Sequence, residues 1–395
     1  MKKKMFAMML AAAMMLGLTA CGGPADSSGS NAGSGSGSGS SAAALKIGSM
    51  GPLTGPNAVY GMATKGGAEI AVKEINALGG MQLSLDYQDD EADPEKSINA
   101  YNAMKGDGMQ VLVGATTSGA CLAVSAETYN DRIFQLTPSG SSPDITAGKD
   151  NVFQVCFTDP GQGETAAQYI SDNKLADTVA ILYNNGDPYS TGIAQAFVAE
   201  AKELGLAVVT EQTFPDDVNT DFTVQLNAAK AAQAELLFMP IYYTPASLVL
   251  NQAANMDFAP IFFGGDGMDG LLEMQGFDKS YAEGLMLMTP FNAASTEERT
   301  AKFVQEYVDA YGTPPNQFAA DAYDCVYAVY EACQKAGVTP DMTPEEICEK
   351  LVATFTSPDF NVDGLTGSQM MWKTTGEVSK APQVYQVENG AYTAR

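Results

Sequence analysis

Val111-Leu112-Val113-Gly114-Ala115-Thr116-Thr117-Ser118-Gly119 is the stretch on which the fold turns. Three branched apolar residues in a row read as a short strand buried on both faces, the kind found in parallel sheets. A glycine ends the strand, hydroxyl residues follow, and residues 120–129 continue as a helix. The same alternation runs outward on both sides. Toward the N-terminus lie a strand at 45–48, a helix at 60–78 and a strand at 82–87. The first of these helices carries Ala68, Ala71, Val72 and Ile75 on one face and stops at Gly79-Gly80. A second helix spans 92–105, with Asp93-Pro94 at its start. Toward the C-terminus follow strands at 133–136, 179–183, 206–211, 235–239 and 260–263, with helices at 189–204 and 245–256. Helices at 296–311 and 318–336 and short strands at 367–372 and 383–387 close the pattern. Such alternation implies α/β architecture, with doubly wound parallel sheets covered by helices on both faces.

Ligands of such sheets bind outside the carboxyl ends of the strands. Two loops stand there on successive strands: Gly114 to Gly119, and Thr137-Pro138-Ser139-Gly140-Ser141-Ser142. Both offer hydroxyls and free backbone N–H groups at helix N-termini, where the helix dipole favours an anion such as a carboxylate. Capping of the helices is the alternative use of the same residues.

The N-terminus has a different character. Met1-Lys2-Lys3-Lys4 precedes an apolar run over 5–18. That is the layout of an export signal, and the run is shorter than the ~20 residues of a spanning helix. Leu18-Thr19-Ala20-Cys21-Gly22 resembles a bacterial lipobox. The expectation is a signal at 1–20, a lipid-modified Cys21 and a flexible Gly/Ser linker through 44, anchoring the protein to the outer face of the cell membrane. Random-coil scaling gives such a linker a mean span of roughly 25–30 Å. The remaining length exceeds one ordinary core, so two lobes are expected.

Composition narrows the chemistry. The 395 residues carry a formal charge of −26, which repels nucleic acid and anionic headgroups. Histidine is absent, which removes Ser-His-Asp and Cys-His catalysis and every histidine-based metal site. A hydrolase would need Ser118 or Ser141 as nucleophile with a carboxylate or lysine as base, and no lysine lies beside these loops. No enzyme activity, cofactor or metal is expected. Beyond Cys21, five cysteines remain: Cys121, Cys156, Cys325, Cys333 and Cys348. Their odd number leaves at least one thiol free. Gly265-Asp266-Gly267-Met268-Asp269-Gly270 has dinucleotide-loop spacing, yet its two aspartates would repel a pyrophosphate; Asp266 is better suited to a ligand cation. Asp359 to Gly364 opens like a calcium loop but has Met370 where a bidentate glutamate is required.

Lys46-Ile47-Gly48, Gly51-Pro52-Leu53-Thr54-Gly55, Tyr60-Gly61, Ile75-Asn76-Ala77-Leu78-Gly79-Gly80, Asp89-Asp90, Gly114 to Ser118, Thr137-Pro138-Ser139, Tyr183 to Gly192 and Gly364-Leu365-Thr366-Gly367 together resemble the leucine/isoleucine/valine-binding proteins of ABC importers. The resemblance covers about 45 to 390. It implies a type I periplasmic-binding fold, two lobes joined by a three-segment hinge. The implied lobes are 45–159 with 290–362, and 160–289 with 363–395, crossing near 158–161, 288–291 and 361–364. It also implies a site. Ser118 would meet a ligand carboxylate, the Ser139 carbonyl and Asp266 its ammonium, and Ser141 both charged groups, while Tyr60, Tyr189, Tyr242 and Tyr323 would pack on or close over it. Thr117 stands where the family's small disulfide would have a cysteine. The implied partners are an amino acid, branched-chain in type, and ABC permease subunits. An amide or urea-like solute and a sensory role remain alternatives.

Overall fold

The computed structural model describes residues 43–215 and 220–395. The export signal, Cys21 and nearly all of the linker lie outside them. Strand β1 (Ala44–Gly51) buries Leu45 and Ile47 completely. It is followed by α1 (Ala58–Ala77), β2 (Gln82–Asp89), α2 (Pro94–Gly106), β3 (Val111–Val113), α3 (Ser118–Asp131), β4 (Phe134–Thr137) and β5 (Val152–Gln154). These strands form one all-parallel sheet in the order β2-β1-β3-β4-β5. The chain then builds a second sheet from α4 (Asp159–Asp172), β6 (Thr178–Asn184), α5 (Pro188–Leu204), β7 (Ala207–Phe214), α6 (Thr223–Ala231), β8 (Leu236–Met239), α7 (Tyr243–Asn255), β9 (Ile261–Gly264) and β10 (Met286–Met288). It returns to the first lobe for α8 (Glu298–Tyr311), α9 (Gln317–Ala336) and α10 (Pro344–Phe355). Finally, β11 (Val384–Glu388) and β12 (Ala391–Ala394) add an antiparallel edge, giving the order β12-β11-β10-β9-β8-β6-β7.

Helix boundaries follow local chemistry. Asp93 accepts from Lys96 N ahead of Pro94, and Thr343 with Glu346 forms a reciprocal capping box. Gly205, Gly312 and Gly337 end α5, α8 and α9 with positive φ, where a Cβ would be strained. All five cysteines among the described residues are buried and free, so no disulfide joins the lobes.

In each lobe the strand order reverses beside one strand, between β1 and β3 and between β6 and β8. The loops at these switch points face one another across the cleft. The third crossing differs from expectation. Residues beyond 361–364 stay on the first lobe: Val362 bridges Met370 and Trp372 bridges Val378. Trp372 Nε1 donates to Gln154 O at 2.8 Å, and Gln154 N donates to Gly376 O at 2.9 Å. Trp372 packs on Phe355 and Phe360, while the buried Lys380 ammonium donates to Asp321 Oδ1 at 2.8 Å and to Thr366 Oγ1 at 2.6 Å. This aromatic and ionic clasp holds the segment to β5 and α9, so the chain passes to the second sheet only between Lys380 and Val384. The strand expected at 367–372 is accordingly reduced to the two isolated bridges.

Candidate functional site

The first turn of α3 supplies one pole of the cleft. Its first N–H groups have no partner within the helix, and the Thr117 side chain does not cap them. The buried Thr117 hydroxyl makes no hydrogen bond. Ser118 lies beside it, its Oγ accepting from Ser141 N at 3.1 Å and Ser142 N at 3.3 Å. These bonds tie the loop after β4 to the loop after β3. Ser139 Oγ donates to Thr116 O at 2.6 Å and completes the junction.

The opposite pole comes from the second lobe. Asp266 follows β9 and is 3 % exposed, with Oδ1 unpartnered. Burial pushes its carboxyl up to about 7; the neighbouring Tyr189 hydroxyl and Gln162 amide pull it back, and the Asp321 charge adds to the rise. Its backbone is fixed from three sides. Asp266 N donates to Gln162 Oε1 at 2.9 Å, Gln317 Nε2 donates to Asp266 O at 2.8 Å, and Gly267 N donates to the Tyr189 hydroxyl at 2.8 Å.

Aromatic rings close the space between the poles. Tyr189 stacks on Tyr242 with centroids 5.0 Å apart, and Tyr60 meets Tyr242 edge-on at 5.5 Å. Tyr60 belongs to the first lobe, and its hydroxyl donates to Gly267 O of the second. Thr244 Oγ1 donates to Pro56 O at 2.6 Å across the same gap. The lobes are therefore in contact, and the pocket has about 10 Å³ of free volume, room for one water-sized sphere.

Six of the eight expected ligand residues line this pocket: Tyr60, Ser118, Ser139, Tyr189, Tyr242 and Asp266. Ser141 lies behind its wall, fully buried. Tyr323 is elsewhere. Its hydroxyl donates to Glu74 at 2.5 Å and its ring packs on Phe303 and Tyr327, on the side of α9 turned toward α1 and α8. Five residues advance a helix by about 500°, so Tyr323 stands about 140° from Phe318, the residue of α9 that does reach the pocket. Phe318 packs on Tyr60 at 4.5 Å, and the signal for it was an aromatic residue two positions after the Asn316 cap. Gln162 and Asp159 had no sequence signal. Asp159 opens α4 beside Ser141; burial holds its carboxyl well above the ordinary range, and the Ser141 hydroxyl pulls it back.

Hydroxyls and a helix N-terminus on one wall, facing a buried acid on the other, suit a molecule carrying both charges. The sequence model of a family described as periplasmic binding protein matches residues 44–391. A Leu/Ile/Val-binding protein homolog 3 from Brucella melitensis biotype 1 is 31 % identical over 304 residues, covering 76 % of this chain and 81 % of the relative. The isoleucine complex of the branched-chain amino acid transporter substrate-binding protein LivJ from Streptococcus pneumoniae is 28 % identical, with a TM-score of 0.80 over 89 % of this chain and 98 % of that one. A leucine-binding protein LivK from Thermotoga maritima is 26 % identical, with a TM-score of 0.79 over 89 % and 97 %. Two parallel-sheet lobes, a cleft at their switch points and a family match over residues 44–391 lead to one statement: the chain belongs to the periplasmic binding protein family, among the leucine/isoleucine/valine-binding proteins of ABC transporters.

Proposed function

We propose that this protein is the extracytoplasmic solute-binding lipoprotein of an ABC importer, which captures a branched-chain-type amino acid between its lobes and hands it to a permease without chemical change. The observation that carries the reading is the pairing of two poles in one pocket. The α3 N-terminus with Ser118 suits a carboxylate, and the unpartnered Asp266 carboxyl suits an ammonium. Tyr60, Tyr189, Tyr242 and Phe318 suit an aliphatic side chain and exclude water from it. Cys21 would carry the lipid, and the linker would let the lobes reorient toward the permease.

A thermal-shift screen of amino acids, with simple amides and urea as comparison arms, tests the ligand class. A true ligand at a hundredfold excess over Kd adds about 2.7 kcal/mol to the unfolding free energy. Ser118→Ala and Asp266→Ala should each weaken binding; unchanged affinity in both would overturn the assignment. Recovery of the bound amino acid unaltered, by mass spectrometry, is the expected result for a carrier, and accumulating product would point to an enzyme. The intact mass of protein extracted from membranes should show a diacylglyceryl group on Cys21, lost in Cys21→Ala.

A further inference from the structure

Beside the second crossing a larger cavity of about 440 Å³ opens between the lobes, a size suited to a small molecule. Its apolar wall is Leu272, Phe291, Val304 and Pro315; its polar floor is Asp269, Glu273 and Tyr392. Asp269 is 2 % exposed. Its Oδ2 accepts from Gln317 N at 2.9 Å, whereas neither Oδ1 nor Glu273 Oε2 has a close partner; the Tyr392 hydroxyl stands beside Asp269 and eases its carboxyl. Burial holds both carboxyls above their ordinary range, and for Asp269 the adjacent Glu273 adds repulsion. Lys279 at the rim eases Glu273 through its charge. Two unpartnered carboxyl oxygens gathered on one floor are costly unless something meets them.

We propose that this cavity is a second ligand site, for a small organic monocation whose ammonium sits at Asp269 and Glu273 and whose hydrocarbon body lies on Leu272, Phe291 and Val304. Charge decides the sign, because two acids and a phenol attract a donor cation and repel a carboxylate. The apolar wall decides between organic and metal cation. A metal asks for more oxygen ligands than this floor provides, and among the described residues no group of three acids, cysteines or histidines is assembled to hold one. Since the walls come from α8, the second crossing and the second lobe, an occupant touches both lobes and the crossing between them.

Titration of the full-length protein with n-butylammonium at pH 8 by calorimetry tests the site, with n-butanol as the uncharged comparison. The expected result is saturable binding of the cation, at least tenfold weaker for the alcohol. Glu273→Gln should weaken the cation at least tenfold, and Asp266→Asn, which alters the other pocket, should change it less than twofold. Ala293→Trp, which fills the cavity without altering charge, should also abolish binding and stands in for Glu273→Gln if that variant does not fold. No saturable binding to the unaltered protein, equal affinity in Glu273→Gln or Ala293→Trp, or a tenfold loss in Asp266→Asn each overturns the proposal.

Discussion

Asp266 is poised near neutrality by its surroundings, and a ligand ammonium would tip it. Held at about 7 by burial, the carboxyl is partly protonated in the ligand-free protein at physiological pH. An ammonium placed beside it favours the ionised form, so binding lowers its pKa and expels a proton. The sign follows directly. Affinity for a zwitterion should be flat above pH ~7.5 and fall as the pH drops through 7, by up to tenfold per unit. Calorimetry at pH 5.5, 6.5 and 8 in buffers of different ionisation enthalpy would read both the affinity and the released proton. Asp266→Asn should flatten this profile and cost about 1.5–3 kcal/mol of binding, the worth of a hydrogen bond to a charged group. A pH profile identical in Asp266→Asn would remove Asp266 from the ammonium pole. At this scale the sequence revealed the hydroxyl loops and the acid, because each stands directly after a strand. It did not reveal Gln162 or Asp159, whose roles arise from burial between segments distant in the chain.

Among the elements, α1 and α9 approach one another closely. A Cβ on Gly67 would lie 1.8 Å from the Ala319 carbonyl oxygen, an overlap that no rotamer can relieve. Gly67→Ala should therefore cost roughly 1–3 kcal/mol of stability or more in urea unfolding. Gly119→Ala, where a Cβ meets nothing within 4 Å, is the matched control and should cost nothing. Equal unfolding midpoints for the two variants would contradict the close approach. Most elements were legible because periodicity and caps agree, as in α5 and α9. Helix α4 was not: its first turns hold Pro160, Gly161 and Gly163, so the segment reads as a hinge, and only packing on α5 makes it helical. There the glycine is useful, since a Cβ on Gly163 would strike the Ile193 carbonyl oxygen. The strand expected at 367–372 failed for the opposite reason. Its alternation buries Met370 and Trp372 against the first lobe without a neighbouring strand to pair along its length. Strand β10 carries only three residues, too few for a period to show.

Taken as one molecule, the protein holds two lobes shut over a pocket too narrow for an amino acid, so entry requires the lobes to part. Hydrogen bonds from Tyr60, Thr244 and Gln317 span the gap and would break together. The buried acids make the ligand-free molecule sensitive to pH. Asp266 is raised from an ordinary 3.8 to about 7, and burial beside Glu273 raises Asp269 as well. Between those values the folded state binds more protons than the unfolded one, so stability is greatest at the acid end and declines as pH rises through 7. The melting temperature should be several degrees higher at pH 5 than at pH 8, with the difference reduced in Asp266→Asn. A melting temperature independent of pH over that interval would mean that these acids are ordinary. The buried thiols have a practical bearing. Cys121, Cys333 and Cys348 are pushed up to about 12, and Cys156 and Cys325 are raised as well, so almost none is thiolate at neutral pH. With Cys21→Ala, a single cysteine introduced at exposed Leu78 or Val224 would thus be the position that a maleimide dye reaches first, so the protein can be labelled at one chosen place without removal of any native core thiol.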